Sequence, residues 1–108
     1  MLATSRRGRP VPRVDIHGAY VRRADLNGAI LKDANLANAD ASGASFRHAD
    51  FEGARLSGTI LRGADLTGAI NLTAKQLAEA VIDDDTRLPS GITRADLLSY
   101  ASPQPGRS

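Results

Sequence analysis

The chain has two imidazoles, His17 and His48, and no cysteine. Without a thiol there is no disulfide framework, no thiolate nucleophile and no cysteine-ligated zinc. The histidines lie far apart, and neither belongs to a pattern with metal-ligand spacing. Both read as solvated outward side chains. Asp83-Asp84-Asp85 gathers carboxylates, yet a calcium loop spaces its oxygen ligands at alternate positions around a glycine. The run reads as a solvated turn. The glycines match neither a P-loop nor a dinucleotide fingerprint. Recurrent aspartates could serve as paired carboxylates, but acid–base work needs a cleft to hold a substrate. The sequence thus offers no catalytic, cofactor-binding or metal-binding residue, and no enzyme activity is expected.

What spaces these residues is a period of five. From Val14 to Thr73 the chain reads VDIHG, AYVRR, ADLNG, AILKD, ANLAN, ADASG, ASFRH, ADFEG, ARLSG, TILRG, ADLTG, AINLT, twelve pentapeptides without a gap. The centres are apolar and large except at Ala41 and Asn71. Two residues before each centre stands Ala, except at Val14 and Thr59. Five matches neither the helical period nor plain strand alternation. Within each unit, however, the small and the large residue are two apart, and in extended backbone such residues share a side. Each unit therefore reads as a short extended piece followed by a corner. The corner position holds Gly18, Gly28, Gly43, Gly53, Gly58, Gly63 and Gly68, with Asp33, Asn38 and His48 at three more. These types tolerate positive φ best. Arg23 and Thr73 fit that position less well.

Four corners close a square, so the units give three coils of an all-β solenoid that buries its interior only by stacking. Position n should lie on n+20. The inward columns are Ile16-Leu36-Leu56, Val21-Ala41-Leu61, Leu26-Phe46-Leu66 and Leu31-Phe51-Asn71. Phe46 and Phe51 should fill the space beside Ala41. Asn71 should end the regular stack unless the register slips and Leu72 turns inward. A convex stack of this kind has no cleft, which removes the paired-carboxylate reading.

ADLNG, ANLAN, ADFEG and ADLTG match the A(D/N)LXX pattern, and over 14–73 the chain resembles the pentapeptide repeat family. The resemblance implies a right-handed quadrilateral β-helix. The best-characterised relatives are gyrase-protecting quinolone-resistance proteins that imitate a DNA duplex in shape and negative charge. A DNA mimic is the alternative function, disfavoured here by the short stack and by a repeat region with seven acids against six bases. Arg22, Arg23, Arg47, Arg55 and Arg62 interrupt any acidic face.

Net charge is +2 over 108 residues. Residues 1–13 carry Arg6, Arg7, Arg9 and Arg13 without an acid and read as a mobile basic tail, with nucleic-acid binding disfavoured for want of interleaved aromatics. No apolar run approaches the roughly 18 residues of a membrane span, and no apolar leader follows the arginines. A soluble cytoplasmic protein is expected. After the repeats, Thr73 and Gln76 form a capping box, and Leu72 and Leu77 a hydrophobic staple, for a helix over about 74–82. That helix should cover the last coil, with Leu88-Pro89 anchoring the loop beyond Asp83–Asp85. Thr93 and Asp96 announce a second helix to about Tyr100, making 74–101 a helical C-terminal cap. Residues 102–108 should fray. The function expected is a non-enzymatic scaffold or protein-interaction module with an unknown protein partner. Self-association as a homodimer is expected through Leu97, Leu98 and Tyr100, as the resemblance to relatives that dimerise through C-terminal segments implies, or through the uncovered first-coil end.

Overall fold

The computed structural model describes residues 13–101. The expectations for Arg6, Arg7, Arg9 and the fraying of 102–108 lie outside these residues. Within them, position n bridges n+20 in parallel. Asp15–Asn35–Arg55 form the first ladder, Tyr20–Asp40–Ile60 the second, Asp25–Ser45–Asp65 the third and Ile30–Asp50–Ile70 the fourth. Each rung is a single bridged residue, and the turns between rungs make the corners.

One bonding scheme repeats at every level. The residue after a rung donates to the rung carbonyl of the next coil, as Ile16 N does to Asn35 O at 2.9 Å. The rung's own N–H reaches back, as Asn35 N does to Val14 O at 2.8 Å. The corner N–H closes the set, with Gly18 N donating to Ala37 O at 2.9 Å. A buried backbone needs such complete pairing, and a strict period supplies it without further design. Arg23, the least suitable corner by residue type, adopts φ 59° like the others. Thr73 does not: its φ is −107°, and the last positive-φ position before α1 is Asn71 at 58°.

The inward columns fill the core. Leu36, Phe46, Phe51, Leu56, Leu61 and Leu66 are all buried, as are Ala34, Ala39, Ala44 and Ala49 beside them. Phe46 and Phe51 pack with ring centroids 5.4 Å apart and planes tilted by 54°, in the same buried core as Ala41. Thr59, which stands where the pattern has Ala, is also buried, and its hydroxyl donates to Leu36 O at 2.7 Å. The first coil differs: Ile16, Val21 and Leu26 are only partly buried against the core.

The corner side chains follow a pairing rule that residue types alone did not reveal. Asp33 lies beneath Gly53, Asn38 beneath Gly58 and His48 beneath Gly68, so that a Cβ on any of these glycines would collide with the side chain below. Arg23 lies along Gly43 less closely, with Cγ 3.3 Å from where a Cβ would stand, a tight contact rather than a collision. Each of these corners with a side chain has a bare corner above it.

The stack then continues past the repeats. Asn71 is exposed and Leu72 takes the buried place, so the register slips. A short helix, α1 (Ala74–Ala78), follows with the Thr73–Gln76 capping box complete. It stands where the first ladder would have its next rung. The helix expected to reach about residue 82 stops at Ala78, because the chain rejoins the solenoid: Val81 bridges Ile60 and Arg87 bridges Asp65. The second and third ladders thus gain a fourth level. Buried Pro89 and partly buried Leu88 hold the loop that follows. A second helix, α2 (Arg94–Ala101), begins with Thr93 N donating to Asp96 Oδ2 at 2.9 Å and Asp96 N to Thr93 Oγ1 at 3.2 Å. Leu97 packs against the core, 6% exposed.

Candidate functional site

The residues singled out for chemistry lie on the outside and apart. His17 donates or accepts at Nδ1 with Asp15 Oδ1, 2.7 Å away, on an open corner of the first coil. His48 occupies a different corner one coil up, beneath Gly68. Among the described residues no group of three or more His, Asp or Glu side chains could hold a metal ion. Asp83 is not a free ligand, for its Oδ1 accepts from Gly63 N and Asp85 N, each at 3.0 Å. Only Asp84 and Asp85 present solvated carboxylates there.

The aspartates of the ladders act on their own turns. Asp25, Asp40, Asp50 and Asp65 each accept from the backbone N–H two residues on. Several of these carboxyls titrate below the ordinary value of 3.8, each for a local reason. For Asp40 the chief cause is the Ser42 hydroxyl, followed by the Ser42 N–H. For Asp50 it is the Asn71 amide, and for Asp65 the Thr67 hydroxyl. The Asp83 carboxyl is held down chiefly by the Gly63 N–H. These groups stabilise corners as carboxylates, which leaves them poor proton donors.

Two kinds of surface remain. The first is apolar. A depression of 590 Å³ lies between α1 and α2, lined by Leu77, Ala78, Val81, Ile82, Leu97 and Leu98, with Arg94 beside them. Leu98 is 67% and Tyr100 58% exposed. Of the three residues expected to mediate self-association, Leu97 is therefore turned inward, and Leu98 and Tyr100 are presented. The second kind is the set of four flat faces carrying the ladders. Among the described residues none of the four is acidic at every rung. Tyr20 and Ile30 stand out from their faces, 70% and 75% exposed, with Arg22 stacked over the Tyr20 ring at 5.0 Å.

A family model for pentapeptide repeats matches residues 29–68 in eight copies. A pentapeptide repeat protein from the cyanobacterium Cyanothece 51142 aligns at TM-score 0.62 and 27% identity, covering 71% of this chain and 52% of its own. This chain thus spans about half the length of that relative. A pentapeptide repeat protein from Nostoc PCC 7120 aligns over 82% of this chain and 83% of its own, at 28% identity and TM-score 0.37. One from the Arabidopsis thaliana thylakoid lumen covers 81% of this chain and 70% of its own, at 22% identity and TM-score 0.32. No curated protein matches. The Cyanothece likeness makes the stack a right-handed β-helix solenoid. Among the described residues no helix is long and apolar enough to cross a membrane.

Proposed function

We propose that this chain, a pentapeptide-repeat protein through residues 29–68, is a non-enzymatic scaffold for protein–protein contact that self-associates through its C-terminal end. One observation carries the reading: α2 offers Leu98 and Tyr100 to solvent beside an apolar depression. In this reading α1 and α2 cap the last coil on one side and carry the contact on the other. Burying an aromatic and an aliphatic anchor in a neighbour's depression is how small interfaces gain most of their affinity. A cytoplasmic setting belongs to the same proposal, and cell fractionation tests it.

Light scattering of the intact protein at roughly tens of micromolar, a range that detects contacts of ordinary strength, should give the mass of a dimer. At roughly 1 M salt, where contacts between charges are screened, Leu98→Glu should return a folded monomer. A wild-type monomer would overturn the self-association. A dimer indifferent to Leu98→Glu at that salt would move the contact to the first coil, where Ile16, Val21 and Leu26 remain only partly buried.

A further inference from the structure

We propose that the third face, which carries the Asp25–Ser45–Asp65–Arg87 ladder, is a self-complementary docking surface for a second copy of this chain lying antiparallel to the first. The inference rests on the reading of the protein as an interaction module, but not on its C-terminal contact.

The face has four levels, and the fourth exists only because Arg87 bridges Asp65. At the corner shared with the second face, the levels hold Arg22 and Arg23, then Ser42 and Gly43, then Arg62 and Gly63, then the Asp83–Asp85 turn. Hydrogen bonds fix this order, with Arg23 N donating to Ser42 O and Gly43 N to Arg62 O along the backbone, and Gly63 N to the side-chain Oδ1 of Asp83. Positive charge therefore sits at the bottom of the corner and negative charge at the top. The ladder beside it runs the other way, from Asp25 at the bottom to Arg87 at the top.

A two-fold axis parallel to the rungs, passing between the Ser45 and Asp65 levels, sets level one against level four and level two against level three. Arg23 then meets Asp84 and Asp85 of the second copy, and Asp25 meets Arg87. Arg62 meets Ser42 and Gly43, where there is room for it, and Asp65 meets Ser45. At the far corner Arg47 and His48 meet Thr67 and Gly68. No charge faces its like. Arg23, Arg62, Arg87, Asp84 and Asp85 are exposed, and among the described residues none of them is in a salt bridge. Arg94 bonds carbonyl oxygens of that turn, those of Asp84 and Thr86, which leaves the carboxylates free. An isologous contact of this kind closes on itself and stops at two copies.

The other faces fail the same operation. On the fourth, Asp50 is the middle of three rungs and would lie on the axis against itself. On the second, Asp40 would be set against Ile60. The first loses flatness where α1 replaces its fourth rung.

A contact made of charge pairs is strong at low salt and screened at high salt, with a Debye length of roughly 30 Å at 0.01 M and roughly 3 Å at 1 M. The test is sedimentation of the full chain carrying Leu98→Glu, which removes the apolar contact, at both salt levels. Self-association at low salt that disappears at high salt is expected. Arg23→Glu should weaken it by at least about tenfold, since it sets like charges face to face. Asp84→Lys with Asp85→Lys should do the same. An equimolar mixture of the two variants should recover a dimer, because each then presents what the other lost. Arg55→Glu, on the first face, should change nothing. A monomer at low salt overturns the proposal and leaves the C-terminal contact to be judged by the intact chain. So does a dimer unmoved by Arg23→Glu, or a mixture that stays monomeric.

Discussion

The regular coils and the level above them perform the same task by different means. In coils two and three, backbone bonds to backbone at fixed spacing, and the side chains need only be small or apolar. Above Leu72 the spacing fails, and side chains stand in for missing backbone. Gln76 Nε2 donates to Ala54 O at 3.0 Å, the oxygen that a rung at residue 75 would have satisfied, and to Phe51 O at 2.9 Å. The Asp83 carboxylate accepts from Gly63 N where a carbonyl would have stood. Thr86 Oγ1 donates to Leu61 O at 2.7 Å. The ladder is what the fold conserves from level to level. The pentapeptide is one inexpensive way to write it, and specific polar side chains are another.

That contrast can be broken most severely at the centre of the regular part. Phe51→Ala removes a side chain with no exposure and should cost about 3–5 kcal/mol in urea unfolding. Leu26→Ala, in the half-covered first coil, should cost clearly less. Equal losses would mean that the first coil is covered as well as the second.

Next in size are the corners. Gly53→Ala meets the Asp33 side chain and also takes an L-residue to φ 69°, which should destabilise by about 1–3 kcal/mol. Adding Asp33→Gly should recover the part due to collision and leave the part due to φ. No recovery would show that the stacked pair is irrelevant.

Gln76→Ala probes the improvised level. It strips the side-chain donor from two carbonyls and breaks the capping box, so about 1–2 kcal/mol should be lost. The loss should appear as hydrogen exchange at Val81 and Leu77 before it appears in coils one and two.

Acid should act on both regions together. The carboxyls of Asp40, Asp50, Asp65 and Asp83 are lowered from 3.8 in the folded chain. The stability they contribute is therefore present above about pH 4 and is lost as pH falls through their folded values. Thermal melts between pH 6 and pH 2 should show a falling midpoint beginning near the ordinary carboxylate value. A flat profile would mean that the turns do not depend on these carboxylates.

The smallest effect is expected at Thr59. Replacing it by the Ala of the repeat removes a buried hydroxyl, but Leu36 O keeps its bond from Ala39 N at 3.0 Å. The change should stay within about 1 kcal/mol.

The inner columns were legible because the apolar period is local and strict, and Leu36, Leu56, Leu61 and Leu66 lie where five-residue counting puts them. The slip at Asn71 was legible as an alternative, since only Leu72 could replace the missing apolar centre. The fourth level was not, because Val81 and Arg87 pair at spacings of 21 and 22 rather than 20. An offset set by the length of α1 and of the aspartate turn leaves no periodic mark. For the same reason the helix was read past Ala78: the apolar residues that suggested a longer helical face, Val81 and Ile82, serve the solenoid. Arg23 was undervalued at its corner because residue preference for positive φ is weak beside a ladder that dictates it from both sides. The third face could not be recognised as self-complementary until Arg87 had a level.

The corner pairing gives the molecule a grain coarser than either the pentapeptide or the coil. Coil one carries side chains at Arg23 and Asp33 and none at Gly18 and Gly28. Coil two reverses this, with Asn38 and His48 beneath Gly58 and Gly68. Successive courses are offset like brick laid in running bond. A chain lengthened by copying coil two onto itself would crowd two corners, those of Asn38 and His48, and copying coil one would crowd that of Asp33, whereas copying the two together would crowd none. For a stack that keeps the side chains of coils one and two at its corners, the unit of extension without repair is therefore forty residues, although every geometric repeat in it is shorter.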